Sequence, residues 1–307
     1  MNGPPLLIGN KADRHLQVVR DRLIQNGQQP VVLDADTLGE RDYSLSRDRL
    51  VVNGVDVASP NRCWLRRIAP NRWTTGELVG SVNDLSFRAR VRAIAAIARQ
   101  PGRDWLSHID ALQIAEDRLY QLTVANQLDI ATPRTSITST PETLRDELGS
   151  DLIIKPLATG AFVGNGNQPH TVHTTRLTPE ILATGDFAAA PFVVQERIPA
   201  VLHLRIVTAG DVAQTASLDA SAWPLDWREA DDAHTSWEAN PHPEIESEAL
   251  RLGDALSLRY TSQDWLVPNS GPPVFIDLNP AGQWMFLPAE VADPITNFIV
   301  DFLSGQT

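Results

Sequence analysis

Two strand-like segments near the carboxyl end of the chain, residues 258–267 and 273–279, constrain the fold more than any other feature. The intervening sequence PNSGPP has the composition of a turn, so the two segments are predicted to pair as an antiparallel hairpin. Side chains alternate along a strand, so Asp277 and Asn279 are expected on one face and Ile276 on the other. The hairpin therefore has a predicted core face and a predicted polar face.

The register of this hairpin brings two carboxylates together. A turn centred between Ser270 and Gly271 places Asp264 directly opposite Asp277. Like charges opposite one another in a sheet repel, which predicts a cation between them with the Asn279 amide oxygen beside it. Three such oxygen donors without a surrounding cage suit Mg²⁺ held jointly with phosphate oxygens. The alternative is a solvated polar edge, and for a single polar pair it is the simpler interpretation.

The amino-terminal part has the pattern of a parallel α/β layer. The apolar run PLLIG precedes a segment with apolar residues at helical spacing from Leu16 to Leu23, and VVLDAD at 31–36 is the next predicted strand. No G-x-G-x-x-G motif occurs at the first turn, so a dinucleotide fingerprint is absent. Residues 49–58, RLVVNGVDVA, predict a hairpin that turns at the Asn-Gly pair.

The middle of the chain combines a helix, a strand and a glycine-containing loop. Residues 108–128 have helical periodicity and predict one helix, with Asp110 and Gln113 as a capping box at its start. Residues 151–157, DLIIKPL, predict a strand that contains Lys155. The sequence ATGAFVGNGNQP follows and does not match the P-loop pattern G-x-x-x-x-G-K-[ST].

The carboxyl half predicts further strands and helices around one irregular segment. Residues 192–199 predict a strand, 202–220 a hairpin that turns near Gly210, and 289–304 the last helix. Periodicity is lost over 221–243, which is rich in tryptophan and acidic residues, and loops of this length are often functional.

Charge and cysteine usage exclude several classes of protein. Lys and Arg number 26 against 38 Asp and Glu, giving a net charge of −12, which argues against nucleic acid as a partner. Cys63 is the only cysteine, so neither an internal disulfide nor a thiolate zinc site can form. No segment resembles a signal peptide or a membrane span, so we expect a soluble cytoplasmic protein without membrane contacts.

The order of these segments and their sequence motifs resemble those of the ATP-grasp superfamily, and most closely those of the ribosomal-peptide maturases of the microviridin and graspetide type. The resemblance rests on W-x-R-R (Trp64, Arg66, Arg67), DRLYQL at 117–122, IATPRT at 130–135, IIKPL at 153–157, QERIP at 195–199, LHLR at 202–205, DWR at 226–228 and FIDLNPAGQW at 275–284. It covers nearly the whole chain. Its most specific part is N-P-x-G-Q-W after an acidic strand together with D-W-R.

The resemblance implies a mixed α/β and α+β architecture, the ATP-grasp fold with an amino-terminal pre-ATP-grasp (Rossmann-like) domain. That domain would span residues 1–108. The central ATP-grasp subdomain with its lid loop would span 109–190, and the carboxyl-terminal subdomain carrying the metal site would span 191–307.

The resemblance also implies a nucleotide site between the two ATP-grasp subdomains. Lys155 would contact the phosphates of ATP, backbone groups near residues 195–198 would hold adenine, and the glycine-containing loop would close over the triphosphate. The implied nucleotide-binding residues are Arg118, Lys155, Gln195, Glu196, Ile198, His203 and Asn279. Arg118 stands where many members of the family have lysine, and His203 stands where an acidic residue commonly contacts ribose.

In the same family, Asp264, Asp277 and Asn279 would hold one or two Mg²⁺, with Asp277 in place of the more usual glutamate. Arg205 would neutralise phosphate charge that develops during transfer. Arg228 would grip a substrate carboxylate, because a planar guanidinium pairs with a carboxylate through two hydrogen bonds.

The implied activity is ATP-dependent cross-linking of a ribosomal precursor peptide that has a leader and an acidic core. A side-chain carboxylate would be activated as an acyl phosphate and captured by a hydroxyl or amine of the same peptide, by an enzyme expected to be a homodimer. The region 210–243 is the expected leader-binding surface. Two alternatives stay open, a ligase that adds an amino acid to a protein or peptide and a noncatalytic module that binds ATP or a leader peptide.

Overall fold

The structure of the chain is a computed structural model, and the residues that it describes are 3–40, 42–46, 49–52, 54–57, 61–68, 80–141, 148–157, 161–163, 169–185, 187 and 190–307. Most of the predicted glycine-containing loop lies outside these residues. The helices within them are α1 (Arg14–Gln25), α2 (Val82–Ala98), α3 (Ile109–Ile114), α4 (Arg118–Gln127), α5 (Pro179–Thr184), α6 (Pro243–Ala255) and α7 (Ala289–Ser304). No helix in the described part of the chain is long and apolar enough to cross a membrane.

The strands within the described residues form five sheets. Their bounds are β1 (Leu6–Gly9), β2 (Val31–Asp34), β3 (Tyr43–Ser46), β4 (Arg49–Val52), β5 (Val55–Asp56), β6 (Arg62–Leu65), β7 (Asp104–Trp105), β8 (Thr135–Thr138), β9 (Leu152–Lys155), β10 (Ala161–Val163), β11 (Pro169–Thr171), β12 (Thr175–Arg176), β13 (Phe192–Glu196), β14 (Ala200–Ala209), β15 (Val212–Asp219), β16 (Glu238–Ala239), β17 (Tyr260–Pro268) and β18 (Val274–Asn279).

The amino-terminal part is the predicted parallel α/β layer, with strand order β2-β1-β6-β7. Helix α1 begins after Asp13, whose carboxylate accepts hydrogen bonds from the backbone N–H groups of His15 and Leu16. The predicted hairpin at residues 49–58 is confirmed by the antiparallel pairing of β4 with β5, and β3 completes that small sheet. Gly54, which lies between β4 and β5, has a positive φ of 75°.

The single helix predicted over residues 108–128 is wrong, because the chain forms α3 and α4 with a break between them. Asp117 caps α4 by accepting a hydrogen bond from the Tyr120 N–H at 3.0 Å, which starts a new helix instead of continuing the old one. The predicted capping box is also wrong. His108 is the N-cap of α3, and Asp110 accepts hydrogen bonds from Arg99.

The middle sheet is antiparallel, with strand order β12-β9-β13-β8. Its small core consists of Leu148, Leu152, Leu177 and Val194, separate from the two larger cores of the molecule. Strand β13 is hydrogen-bonded between β8 and β9, so we propose that the central subdomain extends beyond its predicted end at residue 190 to include β13. Strands β10 and β11 pair antiparallel in a separate two-stranded sheet. The rest of the three-part division stays a prediction.

The carboxyl-terminal sheet has strand order β16-β15-β14-β17-β18 and is antiparallel throughout. Alternate residues of β14 enter two different cores. Ile206 packs in the core that contains Leu252 of α6, and Val207 packs in the core that contains Ile299 of α7. The sheet is therefore covered by helices on both faces, and the same two cores include residues of the amino-terminal layer.

Candidate active site

A cavity of about 650 Å³ lies between the middle sheet and the carboxyl-terminal sheet. Both sheets and the irregular 221–243 segment contribute to its wall. Every predicted site residue except Arg205 lines this cavity. These residues are Arg118, Lys155, Gln195, Glu196, Ile198, His203, Arg228, Asp264, Asp277 and Asn279. Side chains that are up to 161 positions apart in the sequence are thus brought to one surface, since Arg118 and Asn279 both line it.

The predicted pairing of Asp264 of β17 with Asp277 of β18 is confirmed. The pairing changes at this point, since the next residue, Trp265, pairs with Phe275. Ile276 is therefore the extra residue of a β-bulge. Without the bulge Asp277 would lie opposite Gln263 and face away from Asp264.

The bulge also corrects the prediction for Ile276. Strand alternation predicts this side chain on the core face, but it lines the cavity next to Asp277. A bulge places two residues opposite one, so consecutive side chains can approach the same surface. Phe275 takes the core position, fully buried with its ring 5.5 Å from that of Trp265.

Asp264 is held by two guanidinium groups. Arg205, its cross-strand neighbour, donates from Nη1 to Oδ1 at 2.5 Å, and Arg228 donates from Nη2 to Oδ2 at 3.1 Å. Burial raises the pKa of Asp264, but the charges of Arg205 and Arg228 outweigh it, and the pKa lies below its usual value. The carboxylate is therefore ionised at neutral pH, and Arg205 is positioned to orient it from outside the cavity wall.

Arg118 holds the second carboxylate, with its Nε 3.2 Å from Asp277 Oδ1, and it also donates to the Pro156 carbonyl. Each carboxylate thus has a cationic partner within the chain. The repulsion between Asp264 and Asp277 is offset by these arginines, so repulsion alone does not require a metal ion between them.

Lys155 ends strand β9 at the opposite wall, where its Nζ donates to Gln195 Oε1 at 2.8 Å. The Gln195 amide in turn donates to Thr135 Oγ1 at 2.9 Å, which fixes its orientation. Burial lowers the pKa of Lys155, and the nearby charge of Asp277 opposes this shift. Burial likewise lowers the pKa of His203, so its imidazole is neutral at pH 7. Lys155 thus lies on the cavity wall, held by Gln195, where the charge of an entering polyanion would favour its protonated form.

The oxygen donors on the cavity wall fit a shared magnesium site. Among the described residues, no group of three or more His, Cys, Asp or Glu side chains is arranged to hold a metal ion, so they form no closed cage. Asp264, Asp277 and Asn279 instead provide two carboxylates and an amide oxygen on one side of the cavity. Mg²⁺ takes such hard oxygen ligands and keeps the remaining positions for water or phosphate.

Arg228 belongs to the short helical turn Trp227–Glu229, which Asp226 caps. Asp226 also accepts a hydrogen bond from the Thr174 N–H at 3.1 Å, linking this segment to the middle sheet. The Arg228 guanidinium lies 4.6 Å from the centre of the Trp227 ring, and Trp227 itself is buried as a core aromatic. The irregular segment therefore holds Arg228 at the cavity wall, with its guanidinium against the buried Trp227 side chain.

The sequence analysis does not identify Gln121, which holds β18, the strand that carries Asp277 and Asn279. Its Oε1 accepts a hydrogen bond from the Leu278 N–H at 2.9 Å, and its Nε2 donates to the Leu278 carbonyl at 2.8 Å. Nε2 also donates to the Ala115 carbonyl at 2.6 Å. Leu278 lies between Asp277 and Asn279, so one buried amide fixes the backbone that carries both. The DRLYQL motif contains this glutamine, but the motif alone does not reveal its partner.

We expect Gln121→Glu to lower the free energy of unfolding by about 2–4 kcal/mol. A carboxylate cannot donate to the Leu278 and Ala115 carbonyls, so both lose a buried donor and face a negative charge instead. Denaturant unfolding measures the change. Gln127→Glu, at an exposed position of the same helix, is the matched control and should shift stability by less than about 0.5 kcal/mol. Equal stability of the two variants would contradict the assignment.

The chain is similar to the macrocyclase MdnC from Microcystis aeruginosa MRC, bound with the precursor peptide MdnA, at 20% identity and a TM-score of 0.83 over 99% of this chain and 100% of that one. It is similar to a RiPP-associated ATP-grasp ligase from Chryseobacterium gregarium, in complex with ADP and a leader and core peptide, at 19% identity and a TM-score of 0.85 over 100% and 98%.

A third similar structure is the ATP-grasp ligase PsnB complexed with a minimal precursor, at 22% identity and a TM-score of 0.78 over 100% of this chain and 99% of that one. No protein-family model matches the sequence, and comparison with curated proteins gives no significant match. Because the likenesses extend over whole chains, they confirm the architecture that the sequence predicts. The chain has the ATP-grasp fold.

Proposed function

We propose that this chain is an ATP- and Mg²⁺-dependent ligase that joins a side-chain carboxylate of a ribosomal precursor peptide to a hydroxyl or amine of the same peptide. The product is a macrocyclic ester or amide. The observation that carries the proposal is the convergence of Lys155, Arg228, Asp264, Asp277 and Asn279 on one cavity of an ATP-grasp fold. Similar structures were solved with precursor peptides and with ADP, AMPPNP or Mg, which supports the choice of substrates.

ATP lies, in this proposal, along the cavity between the two sheets. Lys155 and Arg118 contact its phosphates, where their charges offset those of the nucleotide. Backbone groups from Gln195 to Ile198 contact the adenine, and neutral His203 faces the ribose. Asp264, Asp277 and Asn279 hold Mg²⁺, which when bound withdraws negative charge from the phosphate oxygens.

The reaction proceeds in two balanced steps. A peptide carboxylate, oriented by Arg228, attacks the γ-phosphorus of ATP, so that a carboxyl O–P bond forms while the bond to ADP breaks. The hydroxyl or amine then attacks the acyl carbon, releasing orthophosphate and one proton. Arg205 contributes indirectly, because it keeps the Asp264 carboxylate ionised and oriented. The chain itself forms no covalent intermediate.

The remaining proposals concern partners and location. MdnC and PsnB were solved with precursor peptides and the Chryseobacterium gregarium ligase with a leader and core peptide, which supports a peptide partner here. We propose that its core is acidic, because the reaction consumes side-chain carboxylates. We place the leader on the 210–243 region, part of which lines the cavity mouth through Trp223 and Leu225. A homodimer in the cytoplasm, without nucleic acid or membrane partners, completes the proposal.

The test is incubation of the chain with ATP, Mg²⁺ and the small peptide encoded beside its gene. We expect ADP and phosphate release that depends on the peptide, and a mass loss of about 18 Da for each bond, one water, because activation converts the carboxylate into an acyl phosphate that is then displaced. Omitting the peptide is the control. A rise in peptide mass on addition of free amino acids would favour the amino-acid ligase, and nucleotide binding with no turnover would favour the noncatalytic module.

A further inference from the structure

The loop that follows β18, residues 280–285, is held by side chains of the amino-terminal layer. Arg66 donates from Nη1 to the carbonyl oxygens of Ala281 and Gly282, the latter at 2.9 Å. Its guanidinium lies 5.7 Å from the centre of the Trp284 ring, and both side chains are buried. One arginine 215 positions away in the sequence thus binds two consecutive carbonyls of this loop.

His15 holds the other end of the same loop. Its Nε2 accepts hydrogen bonds from the backbone N–H groups of Trp284 at 3.1 Å and Met285 at 3.2 Å. A nitrogen that accepts two N–H donors is unprotonated, so the ring proton lies on Nδ1, which is 3.0 Å from Asp13 Oδ1. Burial, which lowers the pKa of His15, supports this neutral form against the opposing effect of Asp13.

Asp13 joins the two contacts into one network. Its Oδ2 lies 3.2 Å from Arg66 Nε, while its Oδ1 accepts from His15 and caps helix α1. Gly9 makes room for the arginine, because a Cβ at that position would come within 3.0 Å of Arg66 Cβ and 2.8 Å of Leu16 Cδ1. The network therefore joins two buried side chains, His15 and Arg66, through the partly buried Asp13, and such hydrogen-bond networks favour a single geometry.

The loop is in direct contact with the proposed metal site. The Ala281 N–H donates to Asn279 Oδ1 at 2.9 Å, and the carbonyl of the same residue accepts a hydrogen bond from Arg66. Ala281 therefore connects Arg66 to the Asn279 amide oxygen. Gly282 packs against Ser262, the cross-strand partner of Asn279, and a Cβ at residue 282 would lie 2.3 Å from Ser262 Cβ. A shift of the loop would therefore move Asn279.

We propose that His15 and Arg66 are positioning residues for the metal and nucleotide site: the amino-terminal layer fixes the 280–285 loop and thereby the amide oxygen of Asn279. This inference rests on the proposed function. It also gives a role to parts of two motifs that the proposed reaction does not use: Arg66 is the first arginine of W-x-R-R, and residues 280–284 of the N-P-x-G-Q-W motif lie in the loop.

The first experiment replaces His15 with Leu and, separately, with Gln. His15→Leu removes the acceptor and should raise the hydrogen-exchange rate of the Trp284 and Met285 amides. It should also weaken binding of ADP in the presence of Mg²⁺ by about 10- to 100-fold, with a smaller change when EDTA replaces Mg²⁺. His15→Gln carries an amide oxygen that can accept the same donors, so it should restore both properties in large part.

Arg66→Lys is the second variant, in case His15→Leu does not fold. Lysine keeps the charge but has a single nitrogen, which cannot replace both Nη1 on the two carbonyls and Nε on Asp13, so the same two readouts should change in the same direction. Arg22→Gln is the matched control. Arg22 also joins the amino-terminal layer to the carboxyl-terminal part, donating to Asp293 and Asn297 on helix α7 at 2.7 and 2.6 Å, but it does not touch the loop.

The outcomes separate this inference from the proposed function. Unchanged amide exchange in both His15→Leu and Arg66→Lys overturns the inference, and so does faster exchange with wild-type Mg²⁺-dependent ADP binding. An equal effect of Arg22→Gln on both readouts also overturns it. General contact between the amino-terminal layer and the carboxyl-terminal part would then explain the effects, without a specific role for the loop. A wild-type chain that binds no ADP at all contradicts the proposed function itself.

Discussion

We expect Asp277→Asn to lower peptide-dependent ADP release by more than about 100-fold, because even residues outside the first ligand shell of a metal site contribute 10- to 100-fold. The substitution keeps the shape of the side chain and removes only the charge that faces the cation. Asp277 is partly exposed, and its partner Arg118 keeps its hydrogen bond to the Pro156 carbonyl. The variant should therefore still unfold cooperatively, near the wild-type melting temperature. Asn279→Ala should behave similarly.

The measurement is ADP release across a range of Mg²⁺ concentrations, together with thermal unfolding of each variant. If Asp277 is a ligand, higher Mg²⁺ should restore part of the lost activity, because weaker binding is offset by mass action. Asp254→Asn is the matched control, since Asp254 is an exposed carboxylate on helix α6, outside the cavity lining. Wild-type turnover by Asp277→Asn at every Mg²⁺ concentration would exclude the metal assignment.

The hairpin itself could be predicted because turn composition and side-chain alternation are local properties. The predicted turn centre pairs Asp264 with Asp277, but beside the turn Trp265 pairs with Phe275, one position away from the predicted register, and the bulge restores the pairing of the two carboxylates. The bulge at Ile276 could not be predicted, because the sequence FIDL contains no glycine or other residue that marks one. The face assigned to Ile276 was wrong for this reason.

The arginine partners that compensate the charges of Asp264 and Asp277 could not be predicted from the sequence either. The prediction of a cation between Asp264 and Asp277 relied on their mutual repulsion, and the structure gives each carboxylate an arginine partner from a different element. What now supports a metal ion is position: the oxygen donors lie on the cavity wall, opposite Lys155, where a nucleotide would place its phosphates.

The residues that hold the site in place are the hardest to predict from sequence. Gln121 and Leu278 are 157 positions apart, and His15 and Trp284 are 269 apart. Both contacts bind backbone groups, so the partner can be almost any residue type and leaves no pattern of paired side chains in the sequence. Secondary-structure periodicity cannot detect them, although both residues are buried polar groups once the fold is known.

Lys155→Met should weaken ATP and ADP binding by about 10- to 100-fold, because a hydrogen bond to a charged group contributes about 1.5–3 kcal/mol. Burial lowers the pKa of Lys155, and an approaching phosphate favours the charged form, so nucleotide and ammonium stabilise each other. Methionine keeps the length of the side chain and leaves only the Gln195 oxygen without its donor. The variant should therefore fold with a modest loss of stability.

The ligand series decides whether Lys155 contacts phosphate. Adenosine lacks phosphates, so its affinity should be the same for Lys155→Met and the wild type, whereas ATP and ADP should both bind more weakly to the variant. Calorimetric titration with the three ligands measures this difference directly. Lys11→Met is the matched control, because Lys11 is the only other lysine of the chain and its side chain is exposed outside the cavity lining. An equal loss of adenosine and ATP affinity in Lys155→Met would place the side chain elsewhere and leave the phosphates without their proposed ammonium partner.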